Sequence, residues 1–276
     1  MFLADESYFK DGISILALCA KSFKKLVIYA CQLMNNHFHF VVSCPEDEAH
    51  AFTETLIKTL GKYLSNRKDG LSIKGLKFKF IPISTPDQLR NTIAYVNRNG
   101  FVAHSSYTPF NYPWGTSAYY FSFDSHKRYK EQKTLMGQIA KRRLTCSHKF
   151  DKISELYLVD GYVSPLCFCN IQGGEEIFIN AKQYFYSMVK NQETNADIAR
   201  AIGESLFYTD EDLFSIARKI ATEKFRESKI SQLVPEARID LAKELHFKYN
   251  AGVKQLQRIL KLDRTTLKSL FPQSSI

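Results

Sequence analysis

Two apolar runs around a short polar connection, "KKLVIYACQL" and "HFHFVVS" joined through "MNN", constrain this chain more than any other feature. Residues 24–33 and 37–43 have the length and the β-branched and aromatic content of strands. Asn35-Asn36 suits the tight turn of an antiparallel hairpin. Side chains alternate faces along a strand, so His37 and His39 share one face while Phe38 and Phe40 take the other.

Helical patterns flank the hairpin. Before it, residues 8–23 place Phe9, Ile13, Leu16 and Ala17 or Ala20 on one side. After it, "PEDEAHAFTETLIKTLGKYLSNRK" has an acidic first turn and apolar residues at Phe52, Leu56, Leu60 and Tyr63, the signature of an amphipathic helix. "LKFKFIPIS" alternates lysine with apolar residues and predicts a half-exposed strand. In "STPDQLRNTIAYVNRNG", Thr85 is an N-cap, Pro86 the first helical residue and Gln88 the partner in a capping box. Gly100 is placed to end the helix in a left-handed turn, so the spacing predicts a helix over 86–99. The aromatic stretch 104–121 follows as an ordered, packed loop closing the first domain.

Beyond residue 150 the pattern is mostly helical, with cap-like starts at Thr194, Thr209 and Pro235. The last piece, "RIDLAKELHFKYNAGVKQLQRILKLDRTTLKSLF", breaks at Asn250-Ala251-Gly252 and again at Leu262-Asp263. That rhythm matches a helix-turn-helix over about 236–271, whose recognition helix would carry Arg264, Thr265, Thr266 and Lys268. A small helical bundle has the same rhythm. The length divides into three expected parts: a domain over 1–122, a basic linker over 123–150 and a helical region over 151–276.

Charge adds a partner class. With 38 Lys and Arg against 28 Asp and Glu, the net charge is +10. Between Lys127 and Lys149 eight basic residues (Lys127, Arg128, Lys130, Lys133, Lys141, Arg142, Arg143, Lys149) face one acid, Glu131. From Ala217 to the end there are thirteen basic and six acidic residues. Basic zones are either solvated faces or contacts to a phosphate backbone. No run of about 18 apolar residues suggests a membrane span, and "MFLADESYFKDG" lacks the form of a secretion signal. The expectation is a soluble, cytoplasmic protein without a membrane partner. The six cysteines are scattered, and the lone C-x-C at Cys167 and Cys169 has no second pair at zinc spacing, so reduced thiols are expected.

The chemistry lies where the histidine strand and the capped helix meet. An H-x-H fits two core histidines or two metal ligands. Tyr95 and Asn99, four apart, fall on one helical face and add a candidate nucleophile and a third ligand, although Tyr95 is also one of fifteen tyrosines and could be core. A divalent ion held by His37, His39 and Asn99 would polarise a scissile phosphodiester. It would also favour attack by the Tyr95 phenolate, whose ordinary pKa is about 10. Imidazole with an amide oxygen suits Mn²⁺ or Zn²⁺, and a loosely held Mg²⁺ is workable.

"LMNNHFHFVV", "STPDQLRNTIAYVNRNG" and "YPWGTSAYYF", in that order, resemble the motifs of bacterial single-tyrosine HUH transposases, in particular the group associated with repetitive extragenic palindromes. The matching residues are His37, His39, Tyr95 and Asn99, followed by Tyr112, Pro113 and Trp114. The resemblance covers roughly residues 1–121. It implies an α+β fold with a ferredoxin-like antiparallel sheet, helices on one face, and a helical C-terminal region. It also implies nicking and joining of single-stranded, hairpin-bearing DNA through a 5′-phosphotyrosine, with a divalent metal (Mg or Mn) and often a homodimer. Arg98 and the basic run (Lys127, Arg128, Lys130, Lys141, Arg142, Arg143) would then be phosphate contacts, with Arg264 and Lys268 contacting DNA from the C-terminal helix.

Two departures stand out. The family pattern has a strand before the first helix, and this sequence opens where that helix should begin, which would leave unpaired backbone along the sheet. Asn99-Gly100 also replaces the usual Asn-Pro. The alternatives are a catalytically inert DNA-binding regulator, and a nuclease using the same ligands with water as nucleophile.

Overall fold

The structure is a computed structural model that describes residues 3, 5–67, 73, 76, 78–103, 107, 108, 110–189, 192–203, 206 and 208–271. It is mixed α/β with a small antiparallel sheet and a mostly helical C-terminal part. It divides into two compact units, Met1–Thr194 and Asn195–Ile276.

The first unit opens with α1 (Glu6–Ala20), capped by Asp5, whose carboxylate accepts from the Ser7 and Tyr8 amides. The expected hairpin follows as β1 (Val27–Leu33) and β2 (Phe38–Ser43), paired so that Gln32 faces His39 and Cys31 faces Phe40. The Met34 amide donates to the His37 carbonyl at 3.0 Å and closes the turn around Asn35-Asn36. The second helix, α2 (Glu46–Arg67), puts Phe52 against Phe40. The third, α3 (Pro86–Ala103), puts Tyr95 against His39. Phe40 and His39 are consecutive and point to opposite faces, so helices cover both faces of the hairpin and not one face as expected.

Residues 78–84 of the expected strand "LKFKFIPIS" form no ladder. Phe78 stacks on Phe40 and Phe80 leans on His50, so the segment covers the hairpin with side chains instead of hydrogen bonds. The free edge of β1 is covered from elsewhere in the chain. The Leu33 amide donates to the Trp114 carbonyl at 2.8 Å, the Thr116 amide to the Cys31 carbonyl at 2.9 Å, and the Asn170 amide to the Ile28 carbonyl at 2.8 Å. The aromatic loop and Asn170 therefore satisfy backbone groups along the free edge of β1.

The expected linker is part of the first unit. It contains α4 (Phe123–Gln132), β3 (Thr134–Leu135) and α5 (Gln138–Thr145), followed by β4 (Tyr157–Val159) and β5 (Tyr162–Val163), which complete a three-stranded sheet in the order β3-β4-β5. α1 packs on β5, and both α1 and α2 pack on α5. α6 (Ile171–Glu175) lies on β1, and α7 (Ala181–Val189) lies on α3. The boundary expected at residue 122 is therefore not where the contacts divide.

The division falls within α8 (Gln192–Ile202). The second unit continues with α9 (Asp210–Phe225), whose Thr209 and Asp212 form a capping box, then α10 (Pro235–Tyr249), α11 (Val253–Leu260) and α12 (Arg264–Leu270). Leu213, Ala217, Leu241, Leu245, Leu256, Leu260 and Leu267 meet in its core. The breaks at 250–252 and 261–263 are both present. Each begins with a left-handed residue, Asn250 (φ 53°) and Lys261 (φ 55°), and the second ends at the N-cap Asp263.

Candidate functional site

The site is built on β2 and the second half of α3. Thr85 Oγ1 accepts from the Gln88 amide at 3.1 Å and Gln88 Oε1 accepts from the Ser84 amide at 2.8 Å, a reciprocal cap that sets where the helix begins. Counting from that start brings Tyr95 over the histidine face of β2. The rings of His39 and Tyr95 are edge-on with centroids 6.0 Å apart, and those of His37 and His39 are 4.8 Å apart.

Both imidazoles are held neutral. Burial pushes His39 down to about 3, with the neighbouring His37 adding to the effect, and burial also lowers His37. His37 Nδ1 lies 2.7 Å from Asn36 Oδ1, which can only accept. The proton therefore sits on Nδ1, leaving the Nε2 lone pair for a ligand. A carbonyl oxygen that fixes the tautomer of a ligating imidazole is the usual outer support of a metal-binding histidine. Asn36 was legible only as a turn residue, and its place immediately before His37 is the signal that could have revealed this role.

Asn99 is buried one turn beyond Tyr95. Its side chain makes no hydrogen bond to either imidazole, and its Nδ2 has no partner among the described residues. The two neutral imidazoles have the chemistry to hold a divalent ion of the Mn²⁺ type, and Asn99 makes no contact with either of them. Among the described residues no cluster of three or more His, Cys, Asp or Glu side chains is disposed to hold one.

α3 is longer than expected. Gly100 lies inside the helix, which runs on to Ala103, so it does not act as the stop. It is there because the chain crosses closely: a Cβ at this position would overlap the Gln32 carboxamide and stand 2.5 Å from Tyr112 Cγ. Gly115 is required on the other side of the same carboxamide, where a Cβ would meet the Cys31 carbonyl oxygen at 2.6 Å. All eight residues from Ile93 to Gly100 are buried, because α7 covers the side of α3 that the hairpin does not.

Burial corrects two expected DNA contacts, Arg98 and Lys141. Arg98 is 0% exposed and cannot meet a phosphate at the surface. Lys141 is buried, and its ammonium donates to the Ile153 carbonyl. Arg128 pairs with Asp160, Arg142 with Asp151 at 2.7 Å, and Arg143 lies 3.8 Å from Asp11. Lys133 sits over the Tyr129 and Tyr157 rings. These exposed pairs contribute little to stability, and Lys127, Arg128, Lys130, Lys133, Arg142 and Arg143 are all on the surface.

In the second unit, Arg264, Thr265 and Lys268 are exposed on α12, and Thr266 is half-buried with its amide and hydroxyl on the Asp263 cap. Arg258 is tied to Asp210 at 3.0 Å, which fixes α11 against the start of α9. No helix of the described residues is long and apolar enough to cross a membrane. No family model matches the chain, and no curated protein or solved structure matches it.

Proposed function

We propose that this chain is a tyrosine-dependent strand transferase acting on single-stranded, hairpin-bearing DNA, with Tyr95 as nucleophile. The observation that carries the reading is the convergence of His37, His39 and Tyr95 on one face of the hairpin. β1, β2 and the segments bridged to β1 would be the remnant of the ferredoxin-like sheet that the resemblance implies.

His37, His39 and the Asn99 amide would hold a divalent ion, whose bound charge offsets the negative charge that builds on a phosphodiester under attack. The chain's own residues do the rest. Asn36 keeps the His37 proton on Nδ1, and Gly100 lets α3 approach β1 closely enough to bring Tyr95 to the histidine face. The Tyr95 hydroxyl gives its proton to solvent as its oxygen forms a bond to phosphorus, the bond from phosphorus to the 3′ oxygen breaks, and the 3′ oxygen takes up a proton from solvent. The 5′ phosphate stays on tyrosine, ready for a second transfer. Arg264 and Lys268 on α12 would bind duplex DNA.

The burial of Tyr95 (2% exposed) and His39 (9%) favours one other reading, an inert fold whose second unit binds DNA as a regulator. Labelled single-stranded hairpin DNA from the regions flanking the gene, incubated with full-length protein and Mn²⁺ or Mg²⁺, separates the two on a denaturing gel. The transferase gives a metal-dependent protein–DNA band that is lost in Tyr95→Phe and His37→Ala. The regulator gives none, and Tyr95→Phe keeps wild-type affinity for DNA.

A further inference from the structure

The two thiols of the C-x-C go different ways. Cys167 is half-buried, with its sulfur 3.3 Å from the Tyr157 amide and 3.5 Å from the Tyr129 hydroxyl. Cys169 turns inward, where its sulfur lies 3.8 Å from that of Cys31 on β1, 138 residues away in the sequence. Cys31 is fully buried, Cys169 is 8% exposed, and both are free thiols. The pair sits where β1 holds the cover of α3. The Asn170 amide donates to the Ile28 carbonyl at 2.8 Å, and the Asn170 side chain caps α6 by accepting from the Gly173 amide. The Tyr120 hydroxyl donates to the Tyr29 carbonyl at 2.8 Å beside Gly174 of α6, where a Cβ would overlap it, and the Tyr120 ring stacks on Tyr184 of α7 at 5.1 Å. The segment leading into α6 and α7 is thus fastened to β1 close to where the two sulfurs meet.

We propose that Cys31 and Cys169 form an oxidation-driven staple: hydrogen peroxide converts the pair to a disulfide that locks α6 and α7 onto β1 and α3. This stands apart from the transferase reading. The reduced fold already holds the sulfurs in contact, and closure by about 1.8 Å brings them to bonding distance. The Cys169 sulfur attacks one oxygen of the peroxide, whose O–O bond breaks, giving a sulfenic acid and one water. The Cys31 sulfur then attacks that sulfur, the S–O bond breaks, and a second water leaves with the Cys31 proton. Two thiols and one peroxide become one disulfide and two waters. Burial sets the kind of oxidant and the pace. A small uncharged peroxide suits a covered pair, whereas glutathione disulfide is charged and bulky. Burial also pushes the Cys169 thiol up, which keeps it protonated and slows the first step, so the staple answers sustained oxidant and not a brief pulse.

Folded full-length protein is treated with hydrogen peroxide, cleared of it with catalase, alkylated in urea with iodoacetamide, and digested with trypsin. The expected product is a dithiothreitol-sensitive link between the peptides spanning residues 26–58 and 153–182, with fragmentation placing the bond at Cys31 and Cys169. It should be lost in Cys31→Ala and kept in Cys167→Ala. Amide hydrogen exchange over residues 181–189 should slow about tenfold on oxidation and recover with dithiothreitol. Cys31 and Cys169 both recovered alkylated while the exposed Cys146 is oxidised, a bond to any other cysteine, or a link that forms only after unfolding in urea overturns the pairing. The bond without slower exchange overturns the lock. Wild-type protein carries the decisive measurement, so a variant that fails to fold does not shield the proposal.

Discussion

Replacing Gly100 by alanine sets two effects of opposite sign against each other inside α3. Alanine is favoured over glycine in a helix interior by about 1 kcal/mol, so propensity alone predicts a more stable protein. The new methyl, however, would stand 2.5 Å from Tyr112 Cγ and overlap the Gln32 carboxamide. The end of the Gln32 side chain can yield, but the Tyr112 ring is held by its hydroxyl bond to Leu33 and is fully buried. Overpacking of this kind costs about 1–3 kcal/mol. If the ring moves far enough to break its hydrogen bond, leaving the buried hydroxyl unsatisfied costs about another 1–3 kcal/mol. Against the helix gain, the net loss is about 0–2 kcal/mol if that hydrogen bond survives and about 1–5 kcal/mol if it breaks. Urea unfolding followed by Trp114 fluorescence measures it, since that tryptophan lies in the first unit. Gly137→Ala is the control, because a Cβ at Gly137 meets nothing within 4 Å, and its change should stay within about 0.5 kcal/mol. A rise in the unfolding midpoint of Gly100→Ala would refute the account of why glycine stands there.

Three further outcomes are expected. His39 titrates near 3 in the folded protein against 6.5 when unfolded, so the stability tied to its neutral form is complete above pH 6.5 and is lost as pH falls toward 3. In EDTA, wild type should therefore lose roughly 1.6 kcal/mol relative to His39→Phe between pH 6.5 and pH 5; a difference unchanged with pH would contradict the burial argument. Asp263→Ala removes the acceptor for the Thr266 amide at 2.9 Å and should destabilise the second unit by about 1 kcal/mol, with Asp263→Asn close to wild type, in thermal unfolding monitored by circular dichroism. Lys268→Ala should weaken duplex binding and reduce the salt dependence of log K by about one, whereas Lys141→Ala should leave that slope unchanged, since Lys141 is buried on Ile153.

The hairpin and the start of α3 were legible because each is written locally, in alternation of apolar residues and in a cap three residues long. The end of α3 was not. Gly100 has the composition of a stop, and only the packing of Gln32 and Tyr112 against it shows that it serves a close approach instead. Arg98 read as an exposed phosphate contact because nothing in the local pattern announces that α7 covers α3. β3 and β5 are two residues long, too short for any alternation to register. The basic run read as a surface and, Lys141 apart, is one; its counter-charges Asp11, Asp151 and Asp160 were not legible because they lie elsewhere in the sequence. Period 2 along the strand put His37 with His39 and period 3.6 along the helix put Tyr95 with Asn99, but the meeting of the two faces was only implied by the family resemblance, and the support of His37 by Asn36 needed the turn itself.

Peptide mapping of the DNA adduct tests the central claim most directly. Full-length protein is reacted with hairpin-bearing single-stranded DNA and Mn²⁺, treated with nuclease and trypsin, and analysed by mass spectrometry. The account predicts a nucleotide joined through phosphate to Tyr95 in the peptide "NTIAYVNR", residues 91–98. Attachment at any other residue, or cleaved DNA with no covalently modified peptide, would contradict it.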